Sequence, residues 1–134
     1  IIVGDGQTLT ESGMVVSNLT VTNTINGDVV VPYKKYIALI SQTGTTDPTV
    51  TVLENTIGDI VWTKLNVGEY IGTLNGAFQQ NKTFITMNNL SNLALDLSTI
   101  FWTSINEITI ITTNTAFNGV DDVLNYTAIE IRTY

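Results

Sequence analysis

The chain has 134 residues and carries 12 acidic side chains against 5 basic ones, for a net charge of −7. Charged residues make up only 13% of it and apolar ones 43%, so its surface polarity must come mostly from Thr, Asn and Ser. Clustered Lys and Arg for a nucleic-acid backbone are missing, and without Cys or His there is no disulfide, no Cys/His zinc site and no His-based nucleophilic triad.

The first residues read as short β pieces. Residues 1–3 form an apolar strand, Gly4-Asp5-Gly6 a turn, 8–13 a polar loop and 14–16 a second apolar strand. Asp5 is a turn residue rather than part of a phosphate cradle, because no helix follows the glycines. The chain lacks an initiator Met, so Ile1 is expected to continue a longer sequence. No run is long enough to cross a membrane, and membrane insertion is not expected.

Residues 18–31, NLTVTNTINGDVVV, are the stretch around which the rest is organised. Leu19, Val21 and Ile25 alternate with Thr20, Thr22, Thr24 and Asn26, the period of a half-buried strand. Asn26-Gly27 suits a type I′ turn, whose central residues need positive φ, and 28–31 return. A lone hairpin is marginal in water, so its apolar face must pack on the rest of the chain or on copies of itself. Pro32 ends the hairpin and marks a boundary between a stem, 1–32, and a knob, 33–134.

Strands recur regularly in the knob. Residues 33–41 are apolar on both faces, with Tyr33, Ile37 and Leu39 on one and Tyr36, Ala38 and Ile40 on the other, which predicts a central strand covered on both sides. Pro48 opens a strand over 48–54, and 60–64 returns with Ile60 and Trp62 on one face. Further strands are predicted over 69–74, 82–87, 107–113 and 126–133, with turns at 66–68, Asn75-Gly76 and Asn118-Gly119. Residues 92–102 fit both an alternating strand (Leu93, Leu95, Leu97) and a helical face (Leu90, Leu93, Ala94, Leu97, Phe101). A strand is expected, because the segment lacks a charged face. The fold expected is all-β: a jelly-roll-like β-sandwich knob behind a short N-terminal β-hairpin stem.

Two resemblances add to this. LTVTNTING resembles the L-T-V-x-x-x-x-x-x-G units of bacteriophage and bacterial fibre shafts, in which three identical chains wind about one axis. The strings YKKYIALISQTG, PTVTVLENTIGDIVW, GEYIGTL and LNYTAIEIRTY make the knob similar to the C-terminal domain of fibre- or spike-type virion proteins of Bacteroidetes phages, flavobacterial phages among them. These resemblances imply a virion structural protein at the particle surface, the tip of a homotrimeric fibre or spike. Its expected partners are other virion proteins and a host surface glycan or receptor, and no catalytic residues are implied. The runner-up is a carbohydrate-binding or adhesin module of a bacterial surface protein.

The chemistry-bearing residues each also have a plainer role. Asp121 with Asp122, or Glu54 with Asp59, could be a glycosidase pair, but neighbouring strand residues diverge and Asp favours turns. Asp121, Asp122 and Asn118 could ligate calcium, but their spacing matches no EF-hand loop, and a solvated loop is preferred. No catalytic, metal or cofactor site is therefore expected. Trp62, Trp102, Tyr70 and Phe78 could form a sugar-stacking platform, but aromatics in an all-β chain more often pack in the core. The core is expected here, above all for Trp62 among its apolar neighbours; Trp102 and Tyr70 are kept as candidates for glycan contact. In a trimer, Leu19, Val21 and Ile25 would face the axis, with Asn23 among them bonding to its copies in a polar layer that sets register.

Overall fold

The computed structural model describes residues 32–88 and 96–134. The chain divides into two units, Ile1–Val30 and Val31–Tyr134, and the described residues belong to the second. The hairpin expected over 18–31, with Leu19, Val21, Asn23 and Ile25, lies outside the described residues.

The second unit contains β1 (Lys34–Ser41), β2 (Thr49–Asn55), β3 (Val61–Asn66), β4 (Glu69–Thr73), β5 (Thr83–Met87), β6 (Leu97–Ser104), β7 (Glu107–Thr113) and β8 (Thr127–Thr133). They form two antiparallel four-stranded sheets, ordered β2-β1-β8-β5 and β3-β4-β7-β6. The sheets pack face to face as the expected β-sandwich. Hairpins join β1 to β2, β3 to β4 and β6 to β7 within a sheet, and the other connections cross between sheets.

Alternation of β-branched and polar residues decides which face is inward. From the first sheet, Tyr36, Ala38, Ile40, Ile129 and Ile131 point into the core; from the second, Trp62, Tyr70, Ile108 and Ile110 meet them. Ile60, Phe78 and Leu124 close the core from the connections. Full burial of each large apolar side chain contributes about 1.5–3 kcal/mol. Trp62 lies opposite Gly72, where an added Cβ would sit 2.9 Å from the indole carbons Cη2 and Cζ2. Glycine there leaves the indole room to lie across β4.

Two expectations need correction. β1 is central, between β2 and β8, but it is covered on one face only. Ile37 and Leu39 point outward and stay half-buried, because an antiparallel sheet of a sandwich needs a single dry face. The expected turn at Asn118-Gly119 is shifted toward the N-terminus. The Asn114 side chain accepts hydrogen bonds from the Ala116 and Asn118 N–H groups, and the left-handed residue is Phe117, with φ 60°. The ambiguous 92–102 segment is strand from Leu97 onward; Leu93 and Leu95 lie outside the described residues.

Candidate functional site

Three connections meet at one end of the sandwich: 42–48 between β1 and β2, 67–68 between β3 and β4, and 114–126 between β7 and β8. Gln42 and Asp122 tie in the first, and Asp121 joins the other two. Its carboxylate accepts two hydrogen bonds from Lys64 Nζ at 2.7 and 2.9 Å, one from the Gly68 N–H at 2.9 Å and one from the Tyr70 hydroxyl at 3.0 Å. Gln42, 3% exposed, works beside it. Its Oε1 shares the single Tyr70 hydroxyl proton with Asp121 and accepts from the Asp122 N–H, and its Nε2 donates to the carbonyls of Gly44 and Thr46. Asp122 Oδ1 accepts from the Gly44 N–H at 2.6 Å, and Asp47 Oδ1 from the Lys64 N–H at 2.7 Å.

The electrostatics follow from this wiring. Burial alone would raise the Asp121 carboxyl, but the hydrogen bonds from Lys64, the Gly68 backbone and Tyr70, with the charge of Lys64, hold it below the usual carboxylate value. Burial pushes the Tyr70 hydroxyl well above the ordinary phenol range, and the neighbouring Asp121 pushes it further. The backbone is equally constrained. At Gly68, with φ +69°, an added Cβ would collide with the Thr112 carbonyl and the Val120 nitrogen; one on Gly119 would collide with the Val67 carbonyl. The two strands of chain touch backbone to backbone.

The 114–126 connection also carries three non-glycine residues in the left-handed region, Phe117 (φ 60°), Asp122 (φ 64°) and Tyr126 (φ 47°). Each costs about 1–2 kcal/mol and persists where its surroundings over-determine it. Asp122 is fixed by Gln42 and Gly44 as above. Tyr126 donates its N–H to Ser41 Oγ at 2.8 Å. Both aromatic side chains stand out in solvent, Phe117 at 79% and Tyr126 at 70% exposure.

The residues singled out from sequence are scattered. Asp121 and Asp122 do not face one another as an acid–base pair: Asp121 is committed to Lys64, Gly68 and Tyr70, and Asp122 to Gly44. The solvated loop expected for them is thus replaced, at Asp121, by a half-buried ion pair. Glu54 pairs with Lys35 at 2.8 Å, and Asp59 Oδ1 accepts from Asn55. Trp62 and Phe78 are core, as expected. Tyr70 is fully buried and offers no ring face to a glycan, because its hydroxyl is needed between Gln42 and Asp121. Trp102 is half-buried against the core, and its indole N–H donates to the Phe78 carbonyl at 2.7 Å. Gln42, Lys64 and Tyr126 carried no sequence signal as partners, since each lies far along the chain from the residue it meets, Asp122, Asp121 and Ser41 respectively.

The two outer faces differ in chemistry. That of the β2-β1-β8-β5 sheet carries the Lys35–Glu54 pair and an Arg132–Glu130 pair at 2.6 Å. The Arg132 guanidinium lies 5.1 Å from the centre of the Tyr33 ring and 5.6 Å from that of Phe84. The face of the β3-β4-β7-β6 sheet exposes Val61, Leu65, Leu97 and Phe101, with Ile71 and Ile111 half-buried among threonines. Among the described residues its strands add only Glu69 and Glu107 as charges on that face. A groove of about 400 Å³ runs between Leu97, Thr99, Ile111 and Phe117.

No family model matches the chain, and neither a curated protein nor a solved structure does.

Proposed function

We propose that the chain is a non-enzymatic structural protein of a bacteriophage virion. In this reading it is the tip of a homotrimeric fibre or spike at the particle surface, attached to other virion proteins and binding a host surface glycan or receptor. The fibre and virion resemblances of its sequence supply the biological setting. The structural observation that supports assembly is the contrast between the outer faces. Copies that each carry a net charge of −7 repel one another, so they should meet where charge is sparse. The face with Val61, Leu65, Leu97 and Phe101 has that character, and uncharged apolar surface leaves water at the least desolvation cost. Closed cyclic symmetry is the usual way for identical chains to cover such faces. The axis itself is proposed to run past Leu19, Val21, Asn23 and Ile25.

Light scattering on the full chain tests the reading. A trimer at micromolar concentration is expected, and a monomer would overturn it. Val21→Asp and Phe101→Asp then locate the contact: loss of the trimer in the first assigns the axis to 18–31, and in the second to the sheet face. A monomer that binds glycan would favour the second reading, a carbohydrate-binding module of a bacterial surface protein.

A further inference from the structure

We infer that a groove beside Tyr126 is the site at which this chain takes an uncharged carbohydrate. The inference rests on the attachment reading above and names its place. The groove, about 350 Å³, lies on the outer face of the first sheet and is lined by Leu39 and Ser41 of β1, Thr49, Val50 and Thr51 of β2, Thr43, Asn125 and Tyr126. Its volume is at the lower end of ligand pockets, roughly 300–1,000 Å³.

Register explains its chemistry. Along β1 the outward residues are Lys35, Ile37, Leu39 and Ser41. Lys35 pairs across with Arg132, and Ile37 with Glu54 and Glu130, so the charges gather at one end of the face. Leu39 pairs with Thr51 and Ala128, and Ser41 with Thr49, so the other end has an apolar floor rimmed by hydroxyls. Among the described residues, no charged side chain lines this groove. An anionic ligand would find no counter-charge there, whereas a neutral sugar needs none. Its hydroxyls can exchange hydrogen bonds with Ser, Thr and Asn, and the C–H face of its ring can lie against an aromatic one. Tyr supplies a broad, rigid, amphipathic surface at low entropic cost, and small polar residues supply adaptable hydrogen bonds.

Tyr126 is placed for that task and not for stability. It stands 70% exposed, outside the core cluster, on a backbone conformation that disfavours a bulky side chain. Its N–H is fixed to Ser41 Oγ, and just before it the Asn125 N–H is fixed to Thr127 Oγ1. These bonds fix the backbone from which the ring projects. Phe117 is exposed as well, but its ring has no hydroxyl, and its groove, lined by Leu97, Ile111, Ser98, Thr99 and Thr113, lies on the apolar face proposed for assembly.

The test is a titration of the full chain, followed by amide NMR, with maltohexaose, cellohexaose, xylohexaose and mannohexaose, alongside binding of the chain to intact bacteria. At least one oligosaccharide should shift Leu39, Ser41, Thr51 and Tyr126 together. Tyr126→Gly should weaken that binding at least about tenfold while keeping the fold, since glycine accepts the left-handed conformation. Thr51→Lys, which fills the groove with a charge, should do the same. Shifts confined to other residues, or no shift with any of the four, overturn the site. Bacterial binding separates the two failures. Cells bound equally by the wild type and Tyr126→Gly refute the groove and keep the attachment reading, whereas a wild type that binds neither cells nor sugars refutes both.

Discussion

Gly68 and Gly76 offer a controlled comparison, because both hold positive φ, +69° and +67°, but only one is crowded. An alanine at Gly76 has no atom within 4 Å of its new methyl. It should cost only the left-handed penalty, about 1–2 kcal/mol. An alanine at Gly68 faces the same penalty and also meets the Val120 nitrogen at 2.6 Å and the Gly119 Cα at 3.0 Å, backbone atoms that cannot swing aside. The turn must then withdraw, breaking the Thr112 N–H bond to the Gly68 carbonyl at 2.8 Å and the Gly68 N–H bond to Asp121 at 2.9 Å. A neutral hydrogen bond contributes about 0.5–1.5 kcal/mol and a charge-assisted one about 1.5–3, so the whole loss for Gly68→Ala is about 3–6 kcal/mol. Urea unfolding followed by circular dichroism reads both. With a slope of roughly 1–3 kcal/mol per molar, the midpoints of the two variants should differ by at least about 0.7 M. Coincident midpoints would show that the close approach of 67–68 to 119–120 carries no weight in stability.

Trp62→Ala should destabilise by about 3–5 kcal/mol, whereas Trp62→Phe should cost much less, because the buried indole N–H it removes makes no well-formed hydrogen bond; equal melting temperatures for the two variants would refute this. The Asp121 carboxyl, held below its unfolded value, contributes stability that is complete above the unfolded pKa of about 3.9 and is lost as pH falls through the folded one. Wild type should therefore exceed Asp121→Asn in urea midpoint at about pH 7, with the gap closing below about pH 4, and a gap independent of pH would sink the assignment.

Most strands were legible because their alternation is local. TVTVL and EITIITT alternate apolar with hydroxyl side chains without reference to anything else in the chain, whereas YIALI, apolar at every position, marks a strand but not which of its faces is covered. Sheet order was not legible, since β1 next to β8 and β5 next to β8 are pairings between distant segments. The Asp121 hub failed to show for the same reason: Lys64 and Tyr70 lie 57 and 51 residues away from it. Asp121 and Asp122 looked alike as a dipeptide, and only the fold gives one a lysine and the other a backbone amide. Tyr126 was hidden by a different cause. Asn is the better left-handed residue, so Asn125 would have been the natural choice for that conformation, but the fold gives it to the tyrosine that follows.

The ladder between β1 and β8 sets how this unit answers to force. Lys34 pairs with Thr133 at one end of the ladder and Ile40 with Thr127 at the other, and the rings of Tyr33 and Tyr134 sit 5.5 Å apart beyond the first. A pull that separates Tyr33 from Tyr134 peels the ladder open one rung at a time. A pull on the 114–126 connection, resisted at Tyr33, runs along the strands instead. It loads the rungs together in shear, because hydrogen bonds of an antiparallel pair lie perpendicular to the chain. A load that enters at the Tyr126 end through β8 and is held at Tyr33 is thus met by the whole ladder at once, not by its last rung.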